Sequence, residues 1–160
     1  MKIRNAVISE LEEILAIYEL ARAFMKETGN PDQWRNTYPT PQIVKDDIKK
    51  EELYVLYDEE GIEGVFVFIN GPDPTYDYID GNWLDDEPYC AVHRVASAQK
   101  KKGVLRAVMD YAFSRSDSIK IDTHKDNAVM QHQLEKYGFK RCGIIFLENG
   151  EDRIAYQMKR

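Results

Sequence analysis

Three lysines and a glycine, Lys100-Lys101-Lys102-Gly103, stand between an apolar run ending at Ser97 and an amphipathic run beginning at Val104. A strand that turns directly into a helix presents unpaired backbone N–H groups and the positive end of the helix dipole. Such a junction binds anions, phosphate above all. The lysines either add charge to that site or form a solvated turn. Three histidines, His93, His124 and His132, supply the chain's imidazoles. An unperturbed imidazole titrates near ~6.5 and can exchange a proton at neutral pH.

The elements that must position these groups follow from periodicity. Lys2 to Val7 alternates as an edge strand. Ser9-Glu-Leu-Glu12 has the form of a capping box, and Leu11, Ile14, Leu15, Tyr18, Ala21 and Met25 recur at helical spacing up to Gly29. A loop carrying Trp34 and Tyr38 leads to Thr40-Pro41, a cap followed by proline at the first helical position. Leu53–Tyr57 and Ile62–Ile69 read as strands joined by the turn Asp58-Glu-Glu-Gly61. Thr75 to Pro88 is acidic and aromatic, and is expected mainly as a lid or long loop.

Tyr89–Ala96 is then a buried strand, Val104 opens a helix, and Ser118–Thr123 is a strand. Asp126 is placed to cap a helix that Gly138 stops. Phe139–Leu147 and Arg153–Met158 flank the hairpin signal Asn149-Gly150. The order β-α-α-β-β-β-α-β-α-β-β implies an α/β (α+β) fold: a mixed, mostly antiparallel sheet with helices on both faces, in one domain over residues 1–160.

Lys+Arg 22 against Asp+Glu 28 leaves −6 in net charge and a pI near 5.1, which argues against general nucleic-acid binding. Cys90 and Cys142 lie in strand-like runs, which favours packed, reduced thiols over a disulfide scaffold. The first residues lack the apolar run of a signal peptide, and no stretch approaches a membrane span, so a cytoplasmic protein is expected.

With this element order, the chain resembles the GNAT family of acyl-CoA-dependent N-acetyltransferases from end to end. Two local signatures carry the likeness. The family's phosphate loop, Q/R-x-x-G-x-G/A, falls on Lys100 to Leu105, and Asn127 with Tyr137-Gly138-Phe139 matches the late strand–helix unit. Lys100 replaces the usual first residue, and Leu105 stands at the second small position. Leu134 occupies the place where many members carry a tyrosine that protonates the leaving thiolate.

The resemblance implies acetyl-CoA as co-substrate, an acetyl group passed by direct attack to a primary amine of a small molecule or peptide, and no metal. It assigns the pantetheine arm to the strand residues Arg94, Val95 and Ala96 with Asn127. It assigns the pyrophosphate to Lys100, Lys101, Lys102, Gly103, Val104 and Leu105. Acetyl transfer needs a base and an oxyanion contact. By strand alternation His93 shares a face with Val95, making it the leading base, unless it is a buried histidine bonded to backbone.

Trp34 and Tyr38 either wall the acceptor pocket or anchor their loop. The acidic stretch Tyr76 to Glu87 either draws in a cationic amine or is a solvated hairpin. Two other functions fit the same residues: an acyl-CoA-binding sensor with little turnover, or a relative that uses Lys100–Lys102 for another anion. Arg153–Met158, read as an exposed sheet edge, is compatible with a homodimer. Neither a nucleic acid nor a membrane is expected as a partner.

Overall fold

The computed structural model describes all residues from Met1 to Arg160. Eight strands form one sheet: β1 (Lys2–Asn5), β2 (Leu53–Asp58), β3 (Gly61–Asn70), β4 (Asp80–Gly81), β5 (Cys90–Ser97), β6 (Ser118–Thr123), β7 (Lys140–Phe146) and β8 (Asp152–Lys159). Four helices cover it: α1 (Leu11–Glu27), α2 (Pro41–Lys49), α3 (Val104–Arg115) and α4 (Ala128–Tyr137). The strand order is β1-β2-β3-β5-β6-β8-β7-β4, antiparallel throughout except for β5 beside β6. The expected element order holds, with the two-residue β4 added inside the acidic stretch. No helix is long and apolar enough to cross a membrane.

Two cores sandwich the sheet. Ile14, Ile17, Tyr18 and Ala21 on α1 and Val44 and Ile48 on α2 pack against Val55, Val65 and Val67. On the other face, Val108, Met109 and Ala112 on α3 and Leu134 on α4 pack against Leu56, Phe66, Val92 and Tyr156. Of the stripe predicted for α1, Ile14, Tyr18 and Ala21 are buried while Leu11, Leu15 and Met25 are only partly so, and burial of that stripe is what holds the helix to the sheet.

Several local expectations are corrected. Ser9 does not cap α1. The chain first makes a 3-10 turn over Ile8–Glu10, and the Glu10 carboxylate accepts from the Val7 N–H at 2.9 Å and from the Arg4 guanidinium. Asn127, not Asp126, caps α4: its Oδ1 accepts from the Met130 N–H at 3.0 Å. The α4 cap is thus shifted by one residue, while α1 follows its 3-10 turn with no side-chain cap. The Arg153–Met158 strand is no edge, since β8 lies between β6 and β7. The dimer argument built on that edge therefore lapses. Both cysteines are free, Cys90 buried and Cys142 only partly so.

The feature that matters most for the site is where β5 and β6 part. They pair in parallel only at Cys90↔Ile119 and Ala91↔Lys120. On its other side β5 carries a bulge against β3, with the register shifting between Val65 and Val67 and Arg94 at φ +47. The bulge twists β5 away from β6, and from Val92 onward its β6-facing backbone has no strand partner.

α3 lies against β3 at Gly64, where a Cβ would meet Val104 Cγ1 at 2.8 Å and the Ala96 carbonyl at 3.1 Å. Gly64→Ala should therefore destabilise the fold by about 1–3 kcal/mol through overpacking. Urea denaturation measures this, and an unchanged midpoint would show that α3 does not depend on that close approach.

Candidate functional site

Two clefts open where β5 and β6 part. The narrower, about 360 Å³, runs between α1 and α4 over Val95, Ala96 and Ser97 and ends at the loop before α3. The wider, about 610 Å³, opens on the side of the Trp34–Tyr38 loop. Both are lined by Met25, Val95, Asn127 and Met130, so they meet at the bulge. A long molecule in one cleft can thus present its end to a second molecule in the other.

The mouth of the narrow cleft is a run of free donors. The backbone N–H groups from Lys100 to Arg106 have no acceptor within the chain, and the first intrahelical bond is Ala107 N–H to the Gly103 carbonyl at 3.0 Å. Gly103, at φ +86, makes the left-handed turn into α3, a conformation that glycine adopts without a Cβ penalty. Leu105 is only 9% exposed and packs into the core beneath α3, so its bulk is turned away and its N–H remains at the helix start.

Of the three lysines, Lys101 lines this cleft, but its ammonium is paired with Asp58 and, at 3.0 Å, with Glu60. Lys100 and Lys102 are exposed and line neither cleft.

In the wide cleft the bulge corrects the alternation argument. His93 and Arg94 both serve the α1/α2 side, while Val95 packs against the opposite core. His93 Nε2 lies 2.7 Å from Asp73 Oδ2, and its side chain is 21% exposed. Facing a carboxylate, Nε2 is the donor, and Nδ1 is the ring nitrogen turned away from Asp73. Asp73 also receives the Thr75 N–H at 3.0 Å. Burial pushes the Asp73 carboxyl up, but the hydrogen bond and charge of His93 outweigh this and hold it below the ordinary carboxylate value.

Arg94 closes the other wall. Its guanidinium makes a two-pronged contact with Asp47, 2.9 Å on each prong, and donates to the Tyr38 hydroxyl at 3.0 Å. Burial opposes its charge, yet Tyr38 and Asp47 more than offset that and raise its pKa. Trp34 is buried, edge-on to Tyr18 with ring centroids 5.6 Å apart, and both Trp34 and Tyr38 line the wide cleft. They therefore anchor their loop and wall the cleft together.

Asn127 sits at the junction with its amide committed: Oδ1 to the Met130 N–H, and Nδ2 to Gln33 Oε1 at 2.9 Å. Leu134 is fully buried and lines neither cleft. Tyr137 lines the narrow cleft, but its hydroxyl donates to Asp110 at 2.7 Å and receives Arg160 at 2.9 Å. Burial and Asp110 raise its pKa. His124 is buried, its Nδ1 accepting the Asp126 N–H, and His132 is exposed; neither reaches a cleft.

The acidic stretch is not a lid. Tyr76 is buried with Trp83 and Tyr89 packed around it, and no acidic side chain from Asp77 to Glu87 lines either cleft. Sequence reasoning missed Asp73, Asp47 and Asp122, the last bonded to the Tyr76 hydroxyl at 2.7 Å. Only Asp47 left a signal: it falls three residues after Val44, on the apolar stripe of α2.

Asp47→Ala should cost about 3 kcal/mol, because it strands the half-buried guanidinium of Arg94. Asp47→Ala with Arg94→Met should recover part of that loss in denaturant titration. For Asp73 the folded pKa is depressed, so its contribution is present above its ordinary value of 3.8 and is lost as pH falls below that. The stability difference between wild type and Asp73→Asn should shrink as pH falls below about 4, through the depressed pKa of Asp73. A difference that stays constant into acid would show that the His93 contact does not depress Asp73.

No family model matches the sequence, and no curated protein matches it. Solved structures do match. A GNAT-family acetyltransferase from Streptococcus agalactiae is 30% identical, with a TM-score of 0.87 over 99% of this chain and 95% of that one. A GNAT-family acetyltransferase from Listeria monocytogenes (18% identity, TM-score 0.71, 99% and 94% covered) shares the fold. So does a ribosomal-protein-alanine N-acetyltransferase from Brucella melitensis, at 17% identity and TM-score 0.66 over 100% of each chain. The parted strands, the donor-rich start of α3 and the identity across both chains lead to one conclusion: this chain belongs to the GNAT family of acetyltransferases.

Proposed function

We propose that the chain transfers the acetyl group of acetyl-CoA to a primary amine of a small molecule or peptide by direct attack. The observation that carries this reading is the meeting of the two clefts at the bulge, with free N–H donors in one and the His93–Asp73 pair in the other. The narrow cleft fits the donor's chemistry. The N–H groups of Lys100 to Leu105 suit the pyrophosphate, and the edge of β5 at Arg94, Val95 and Ala96, which has no partner in β6, suits the amide-bearing pantetheine arm. Asn127, whose amide is already bonded, serves by shaping the junction.

The acceptor amine enters through the wide cleft, between Trp34, Tyr38 and the Arg94–Asp47 pair. His93 Nδ1 removes a proton from the ammonium, directly or through water. The freed lone pair attacks the thioester carbonyl; collapse of the tetrahedral intermediate breaks the C–S bond, CoA leaves as its thiolate, and the amide nitrogen passes its surplus proton to that thiolate, directly or through water. Backbone N–H groups at the bulge hold the developing oxyanion.

A second reading has its own support. Met25, Val95, Asn127 and Met130 offer no acid where the clefts meet, Leu134 is buried and the Tyr137 hydroxyl is occupied. On that basis the chain is an acyl-CoA-binding sensor or interaction module with little turnover.

Acetyl-CoA with a panel of amines, followed by thiol release, separates the two. The transferase reading expects acetyl-CoA to raise the melting temperature and at least one amine to release thiol. His93→Gln should then lower kcat by about 10²–10⁴-fold with acetyl-CoA affinity retained. Binding without thiol release from any amine would favour the sensor. Neither binding nor release would sink both.

A further inference from the structure

We infer that the β2–β3 hairpin builds a divalent-cation site from Asp58, Glu60 and Glu63, taking a hard ion of calcium's size, and that Lys101 holds this site until the ion displaces it. The three carboxylates each place an oxygen within 4.8 Å of the other two. Two ligands on opposite sides of a Ca²⁺ ion lie about 4.6–5.2 Å apart, twice its ~2.3–2.6 Å bond length, so all three oxygens can share one ion. An Mg²⁺ ion demands a near-octahedral shell at ~2.1 Å and sheds its water reluctantly, so the flexible shell of Ca²⁺ suits three carboxylates on one hairpin better.

A cluster of acids on a turn would not be enough, and Glu63 adds the second observation. Its side chain is 0% exposed, yet neither Oε1 nor Oε2 has a hydrogen-bond partner. A buried carboxylate without donor or cation is strongly disfavoured, so this position asks for a positive ion. The ammonium of Lys101 reaches Asp58 and Glu60 but not Glu63. Backbone geometry aims Glu63 inward: it is the extra residue of a bulge, where Leu56 pairs with Gly64 and Tyr57 with Ile62. The open coordination positions face solvent at Glu60, where water completes the shell.

Lys101 belongs to the loop at the mouth of the narrow cleft. An ion bound by the hairpin releases its ammonium toward that mouth, where it can meet a phosphate. Cation and acyl-CoA then favour each other reciprocally, a linkage that rests on the donor site proposed above.

The test is calcium titration of the chelator-treated full chain by calorimetry at physiological ionic strength, with melting temperature read in parallel. One saturable site is expected, with a raised melting temperature. Asp58→Asn and Glu63→Gln should weaken binding at least tenfold, and Lys101→Met should tighten it at least tenfold by removing the competing ammonium. Glu63→Gln preserves shape, and circular dichroism confirms its fold.

No saturable uptake by wild type or Lys101→Met would overturn the site, as would uptake that Glu63→Gln leaves unchanged. Acetyl-CoA titrations with and without calcium read the linkage. Tighter binding with calcium in wild type but not in Lys101→Met supports it, and equal affinities overturn it. Calcium uptake without any acetyl-CoA binding supports the cation site and removes the donor-site reading instead.

Discussion

A buried phenol holds the backbone at the point where the sheet opens. The Tyr18 hydroxyl, on the fully buried face of α1, donates to the Arg94 carbonyl at 3.1 Å. Arg94 sits at φ +47, a conformation that costs a non-glycine residue about 1–3 kcal/mol. The cost is offset locally: Tyr18 takes up the carbonyl, while Asp47 and Tyr38 take up the guanidinium. Without that bulge β5 would continue beside β6, and neither cleft would have a floor.

The same constraint sorts the chemistry by face. A regular strand would send His93 and Arg94 to opposite sides of the sheet. The bulge sends both toward α1 and α2, where Asp73 and Asp47 meet them. Val95 is left packed against the other core, at the point where the two clefts join. One extra residue thereby places the His93 ring beside an apolar opening.

Three ion pairs tie distant segments of this acidic chain together. Arg94 with Asp47, Arg35 with Glu151 and Lys101 with Asp58 each bring a distant segment to a cleft or its rim. The exposed pairs among these add little stability by themselves. Their value is in fixing loops: Arg35 ties the Trp34–Tyr38 loop to Glu151 beside β8, and Lys101 ties the donor loop to the hairpin.

The sequence by itself determined the elements and their order, the donor-rich junction at Gly103 and the aromatic loop, because periodicity, caps and turn residues act over a few neighbouring residues. Where it erred on caps, the α4 cap lay one residue beyond Asp126, and α1 followed a 3-10 turn instead of a Ser9 cap. What tertiary structure alone decided is which side chains meet. His93 finds Asp73 across 20 residues and Arg94 finds Asp47 across 47, and Glu63 joins Asp58 and Glu60 only because a bulge breaks the strand's alternation. Local patterns assume a period of two along a strand, and one inserted residue reverses the face of all that follow. That reversal is set by the packing of Tyr18 and the neighbouring strands, and no short stretch of the chain records it.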